Sequence, residues 1–171
     1  MLKGENIQLR ALEPSDLETL YQWENDTSIW KVSQTIVPFS KHMLTEYLAN
    51  AHQDIFTAKQ LRLIIEKEGR SIGTIDLFDF EPTHQRVGVG IWIADEGERQ
   101  KGYAKEALRL MIDYVFNQLQ LNQIYCNISS TNKASINLFS SLDFILVGIK
   151  KNWNKTQEGW EDELLFQRLC D

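Results

Sequence analysis

The sequence predicts a mixed α/β fold in one domain spanning residues 1–171. Strand and helix signals alternate along the whole chain. Hydrophobic residues make up 43% and aromatic residues 11% of the 171 residues, enough for a sizeable core. Only 9 Gly and 3 Pro occur, and there is no repeat, low-complexity tract or linker, so a disordered or fibrous chain is excluded.

The elements follow from local patterns. Ile7, Leu9 and Ala11 alternate with Gln8 and Arg10, a half-buried strand. Pro14-Ser15-Asp16 opens a helix with Leu17, Leu20, Tyr21 and Trp23 on its apolar side, ending near Asn25-Asp26. Thr27 to Ser40 reads as loop, broken by Pro38. Ser40 can cap a second helix through about Ala51, with Met43, Leu44, Tyr47 and Leu48 inward. Leu61–Glu66 and Ile72–Phe80 form a hairpin about Glu68-Gly69-Arg70, and Val87–Ala94 extends it past a turn at Pro82-Thr83-His84. Ala104, Ala107, Leu108, Met111, Ile112, Val115, Phe116 and Leu119 recur at helical spacing. Ile124–Ile128 is a strand, and Asn132 opens a helix through about Leu142. Phe144–Lys150 and Glu161–Leu169 read as a closing antiparallel pair, connected by Asn152–Gly159.

Charge and cysteines narrow the function. The net charge is −6. An acidic surface disfavours nucleic acid, which needs clustered Lys and Arg, and mildly favours cationic small molecules or basic peptides. Cys126 and Cys170 have no ligand-like neighbours at metal spacing, so no metal site is expected, and two lone thiols fit a reducing cytoplasm. The N-terminus lacks an apolar leader, and no run is long enough to span a bilayer, so a cytoplasmic chain without a membrane partner is expected.

The segment richest in chemistry runs from Gly90 to Ala104. A strand passes through a short loop into a helix whose start is rich in small residues. Backbone N–H groups at a helix start lack intrahelical acceptors, and the helix dipole adds positive charge there. Such a site suits a pyrophosphate. Gly102 permits close backbone approach, Ala104 keeps the next turn clear, and Arg99, Lys101 and Lys105 add positive charge. A Walker A loop and a dinucleotide fingerprint are excluded, because the further glycines they require are missing.

Arg99-Gln100-Lys101-Gly102-Tyr103-Ala104 resembles the acyl-CoA motif of the GNAT superfamily of N-acetyltransferases. Asn132-Lys133-Ala134-Ser135 with Phe139 and Asp143-Phe144 is similar to a second family segment. Ile7-Gln8-Leu9-Arg10, Asp16-Leu17 and Trp23-Glu24-Asn25-Asp26 resemble the opening of the branch holding ribosomal-protein N-terminal and spermidine/spermine acetyltransferases. The three matches lie in order over nearly the whole chain.

The resemblance implies a curved, mostly antiparallel sheet of about seven strands, with helices on both faces and acetyl-CoA in a V-shaped opening between two central strands. It implies that the amides of Gln100, Lys101, Gly102, Tyr103 and Ala104 hold the CoA pyrophosphate. Ile91, Trp92 and Ile93 would present backbone groups to the pantetheine arm. Asn132 is either a contact to that arm or a helix N-cap. Three positions depart from the family pattern. Phe139 stands where many relatives have a Tyr that protonates the thiolate. Gly88 stands where many have a Glu, and Asp143 replaces a Gly before Phe144, which suggests a different turn.

The implied reaction is attack of a neutral amine on a thioester in a ternary complex. An alkylamine is mostly protonated at neutral pH, so the site must accept a proton. The candidate bases are Asp76, Asp79, Glu81 and His84. In a regular strand Asp76 and Asp79 face opposite ways, so at most one reaches the cleft without a bulge. Trp23, Trp30 and Tyr47 with Asn25 and Asp26 can line an acceptor pocket for a cationic amine. The acceptors in view are a polyamine or other small amine, a protein N-terminus, and an antibiotic amine. The rival reading is a non-catalytic acyl-CoA-binding sensor or scaffold, favoured by Phe139 and Gly88. Trp153 and Trp160 flank a polar connection and suit substrate contact or a homodimer.

Overall fold

The computed structural model describes residues 1–30 and 35–170. Eight strands form one sheet in the order β1-β2-β3-β4-β5-β6-β8-β7. They are β1 (Leu2–Lys3), β2 (Gln8–Ala11), β3 (Leu61–Lys67), β4 (Arg70–Glu81), β5 (Arg86–Ile93), β6 (Gln123–Ser129), β7 (Ile145–Thr156) and β8 (Gly159–Leu169). All neighbours are antiparallel except β5 and β6. The short β1 adds one strand to the expected number; two residues are too few to show a period.

Helices cover both faces, each by its apolar stripe. α1 (Leu17–Glu24) and α2 (Lys41–Asn50) pack Leu20, Leu44 and Leu48 on Ile64 of β3. Ser40 caps α2 by accepting from the Met43 amide at 3.1 Å, as its sequence position suggests. Met43 itself faces outward and is 49% exposed, a correction to the expected inward set. The loop expected over 27–40 is described except for 31–34. A one-turn helix, α3 (Ile55–Ala58), precedes β3.

The opposite face carries the larger core. α4 (Tyr103–Asp113) buries Ala107, Leu108, Met111 and Ile112, and a π-helical turn, Tyr114–Gln118, extends its apolar stripe to Val115. α5 (Lys133–Ser140) adds Phe139, whose ring stands edge-on to Phe144 at 5.0 Å. The Glu106 carboxylate accepts from the Asn6 amide at 2.8 Å and the Ile7 amide at 3.2 Å, which ties α4 to the start of β2.

The β3–β4 hairpin turns on Glu68 (φ 49°) and Gly69 (φ 78°), both left-handed as a tight two-residue turn demands. The last hairpin departs from expectation. Residues 152–159 are not a connection: β7 and β8 continue past an irregularity near Asn152 (φ 50°) to pair Thr156 with Gly159. Asp143 also corrects its reading. It sits at φ 63° between α5 and β7, the left-handed conformation that glycine favours, so the turn accepts an Asp without changing hand.

Candidate active site

The parallel pairing of β5 and β6 lasts for three register pairs, Arg86–Gln123, Val87–Ile124 and Gly88–Tyr125. β5 runs on to Ile93 paired with β4 alone, so its other edge beyond Gly88 faces a gap between two central strands. Unpaired main-chain groups along such an edge can bond an extended, amide-bearing chain.

The loop after β5 closes one end of the gap. Asp95 accepts from the Gly97 amide at 2.9 Å and starts a 3₁₀ turn, Glu96–Glu98. Gln100 (φ 61°) and Gly102 (φ 89°) then both turn left-handed. Gly102 is the N-cap of α4 and has no side chain to offer its first turn. Among the described residues nothing accepts from the amides of Gln100 to Lys105. Unpaired donors at the positive end of a long helix have the geometry that suits a diphosphate.

The cations of this loop play a different part from the one their charge suggests. Glu98 is buried at 7% exposure and receives Lys101 and Arg70 at 3.0 Å each and Lys67 at 3.3 Å. Its pKa falls to about 2, through the hydrogen bond from Lys101 first and then those from Lys67 and Arg70, against desolvation. Arg99 donates to the Ile93 carbonyl at 3.0 Å and to Glu96 at 2.9 Å. Arg99 and Lys101 therefore brace the loop. Of the three predicted cations, only Lys105 has no carboxylate partner among the described residues.

The clamp carries a pH prediction. Glu98 titrates lower in the folded chain than in the unfolded chain, so its contribution is complete above about pH 4.5 and is lost as the pH falls toward 2. Melting temperatures followed from pH 6 to pH 3 should fall more steeply for the wild type than for Glu98→Gln. Parallel curves would assign the acid sensitivity elsewhere.

On the α1/α2 side of the sheet lies a recess of about 300 Å³ lined by Tyr47, Arg62, Asp76, Phe78 and Gly90, among others. Asp76 accepts from Arg62 Nε, and Glu24 accepts from Arg62 Nη1 at 2.5 Å. The guanidinium lies 5.9 Å from the Tyr47 ring. Two carboxylates around one guanidinium leave this floor net negative. Trp23 of α1 meets Trp92 of β5 edge-on at 5.8 Å. Asn25 is engaged with the Tyr21 carbonyl and both backbone groups of Phe39, at 2.9–3.0 Å. Trp30 donates to the Glu24 carbonyl at 2.9 Å. Asp26 is exposed; hydrogen bonds from Ser28 hold its pKa below the usual range, and the charge of Arg99 adds to them. Of these four predicted acceptor residues, Trp23 is the one that touches β5.

Asp79 lies apart from Asp76. The register of β4 on β5 shifts between Phe78 and Glu81, and Asp79 takes φ 50° there. The bulge frees Asp79 from strand alternation, and its Oδ2 accepts from the Tyr125 hydroxyl at 3.2 Å. Tyr125 stands where the two strands separate, a position that sequence reasoning did not single out. Its register partner Gly88 was the available signal, since that pair stands where the strands separate.

Asn132 caps α5 by accepting from the Ser135 amide at 3.1 Å. Phe139 is buried at 3% exposure, with its ring against Phe144. Tyr103 is half-buried beneath the Lys67 ammonium, 5.0 Å from its ring. Gly88 has no room for a side chain: a Cβ would meet the Phe78 ring at 2.3 Å. Gly88→Ala should cost about 2 kcal/mol by overpacking. Urea unfolding should show part of that recovered in Gly88→Ala/Phe78→Leu; an equally unstable double variant would place the strain elsewhere.

Among the described residues no three His, Cys, Asp or Glu side chains are grouped to hold a metal, and no helix is long and apolar enough to cross a membrane. The Gly102 loop and the free β5 edge suit a diphosphate followed by an extended amide arm, as in coenzyme A.

Comparison with known proteins agrees with that geometry. Residues 6–145 match the family model described as the acetyltransferase (GNAT) domain. The chain is 28% identical to the uncharacterized N-acetyltransferase p20 of Bacillus licheniformis, over 98% of this chain and 95% of that protein. It is 27% identical to the spermidine N(1)-acetyltransferase of Escherichia coli K12, over 86% of this chain and 77% of that protein. The structure of spermidine N-acetyltransferase from Vibrio cholerae in complex with CoA and spermine superposes with a TM-score of 0.86 at 25% identity, covering 97% and 96% of the two chains. The chain therefore belongs to the GNAT acetyltransferase family, as an acyl-CoA-dependent enzyme whose cosubstrate is acetyl-CoA.

Proposed function

We propose that this enzyme acetylates the primary amine of a small cationic molecule of the polyamine class, in a ternary complex with acetyl-CoA and with the whole chain acting as one catalytic domain. The observation that carries the reading is the recess at Gly90. It opens on β5 beyond the point where β6 leaves it, and Asp76 and Arg62 line it, with Glu24 bound to the same guanidinium from α1. A cationic amine is drawn to the net negative charge and to the aromatic faces of Tyr47 and Phe78. The spermidine acetyltransferases among the relatives support the same substrate class.

Acetyl-CoA supplies the activated acetyl thioester. In this reading the amides of Gln100 to Ala104 bind the diphosphate, and the backbone of Ile91 aligns the arm, while alternation turns the main-chain groups of Trp92 toward β4. Ile93 contributes its amide side, because its carbonyl already holds Arg99.

The test is release of free CoA thiol from acetyl-CoA with a panel of spermidine, spermine, N-terminal peptides of basic proteins, and aminoglycosides. Turnover with the polyamines at least tenfold above the peptides is expected. A preference for peptides would transfer the activity to protein N-termini, and CoA binding with no turnover on any amine would overturn the reading.

A further inference from the structure

We propose that the Tyr125 hydroxyl, seated on Asp79 where β5 and β6 separate, carries the proton from the acceptor amine to the exposed Asp79 carboxylate. The proposal rests on the amine-acetylating reading above and names the group that the reading leaves open.

The geometry singles out this pair. Gly88 and Tyr125 are the last registered partners before the strands diverge. The Phe78 ring lines the recess, lies 3.8 Å from where a Cβ on Gly90 would be, and meets the Tyr125 ring edge-on at 6.0 Å. Tyr125 is therefore one ring away from the acceptor recess. Its hydroxyl donates to Asp79 Oδ2 at 3.2 Å, which leaves the phenol oxygen free to accept from the acceptor nitrogen, directly or through one water.

Several alternatives near the gap are engaged or lack a usable proton, whereas the exposed Glu81 lines the same groove as Asp79 and Tyr125, and His84 is exposed in the turn that follows it. Phe139 has no ionisable group, and the Phe78 ring fills the space a side chain at position 88 would need. The two oxygens of Asp76 face Arg62 Nε and Nη2. Glu24 is bound to the same guanidinium, and Glu98 is held by three cations away from the recess. The Cys126 thiol is buried, and desolvation pushes its pKa up. Asp79 is exposed and accepts from Tyr125. Burial first, and then the charge of Asp79, push the Tyr125 pKa up to about 12, so the phenol keeps its proton and relays rather than ionises.

The protons balance. As the acceptor ammonium gives one proton to the Tyr125 oxygen, the hydroxyl proton passes to Asp79 Oδ2. The neutral nitrogen forms the C–N bond while the C–S bond breaks, and the second N–H proton goes to the departing sulfur. Asp79 then returns its proton to solvent, for a net release of one proton per turnover.

The test compares wild type, Tyr125→Phe, Asp79→Asn and the double variant, using the amine that wild type turns over best. The proposal expects kcat to fall about 100-fold in each single variant, with the double variant within threefold of the worse single one. The CoA dissociation constant should stay within twofold of wild type. Asp79→Glu should restore kcat to within tenfold of wild type while Asp79→Asn does not; a merely structural role would not produce that pattern. A kcat for Tyr125→Phe within threefold of wild type from pH 6 to pH 9 would overturn the relay and leave the amine reading intact. A wild-type enzyme that releases no thiol with any amine would overturn both.

Discussion

Gly102→Val is expected to weaken CoA binding at least tenfold, about 1.4 kcal/mol. Gly102 sits at φ 89° at the N-cap of α4, where a Cβ would find no atom within 4 Å beyond its own chain neighbours. Space is therefore not the obstacle. A β-branched residue is strained at that φ by about 1–2 kcal/mol, and the chain can relieve the strain only by rotating the peptides on either side. Those peptides carry the amides of Gly102 and Tyr103, at the centre of the unpaired run from Gln100 to Lys105. Re-aiming them scatters donors that must converge on one diphosphate. Isothermal titration with CoA would check the result. The melting temperature should move by only a few degrees, because Gly102 is exposed and outside the core. A dissociation constant within twofold of wild type would mean that the diphosphate is held elsewhere.

Arg10→Ala should cost about 3 kcal/mol of stability, the scale for breaking a well-buried ion pair. Arg10 Nη1 and Nη2 reach the two oxygens of Asp16 at 2.8 Å each, Nε reaches Glu66 at 2.7 Å, and Nη2 also reaches Ser71 at 3.0 Å. One guanidinium thus joins β2, the turn before α1, β3 and β4. Asp16 has 6% side-chain exposure, so truncating Arg10 leaves a buried carboxylate without its counter-charge. The melting temperature should drop by about 10 °C. Urea unfolding should show a lower midpoint with an unchanged slope. Arg10→Lys should recover little, since an ammonium cannot span Asp16 and Glu66 as a planar fork does. A loss below about 0.5 kcal/mol would show that the network behaves like an ordinary surface pair.

Much of the architecture was legible because its signals are local. Ser40 and Asn132 announce helices through hydroxyl and amide caps, and both accept the bonds that their positions suggest. The α4 stripe from Ala107 to Val115 shows the helical period directly. The misses come from single residues that break a period. Ile55–Ala58 is too short to show one, although Asp54 caps it from the Thr57 amide at 3.0 Å. The polar run 152–159 resembles a loop, yet a cross-strand partner keeps it extended; composition cannot reveal a partner.

For the site, the loop around Gly102 was readable because positive φ and small size are glycine's own properties. The acceptor side was not. Whether Asp76 and Asp79 share a face depends on a bulge, and a bulge is a property of the pairing between two strands. The same reason hid Tyr125, whose relevance comes from lying opposite Gly88 and beside Asp79. Arg99 and Lys101 look like anion ligands by charge. Only their partners, the buried Glu98 under Lys101 and the Ile93 carbonyl and Glu96 under Arg99, show that they stiffen the loop.

Among the described residues β5 and β6 share three rungs, begun by the Asn122 and Gln123 amides on the Gln85 carbonyl, and then part. A molecule lodged in the split supplies the missing stitches, so occupancy and mechanical coherence become one property. The loaded protein gains resistance to unfolding from the ligand it grips.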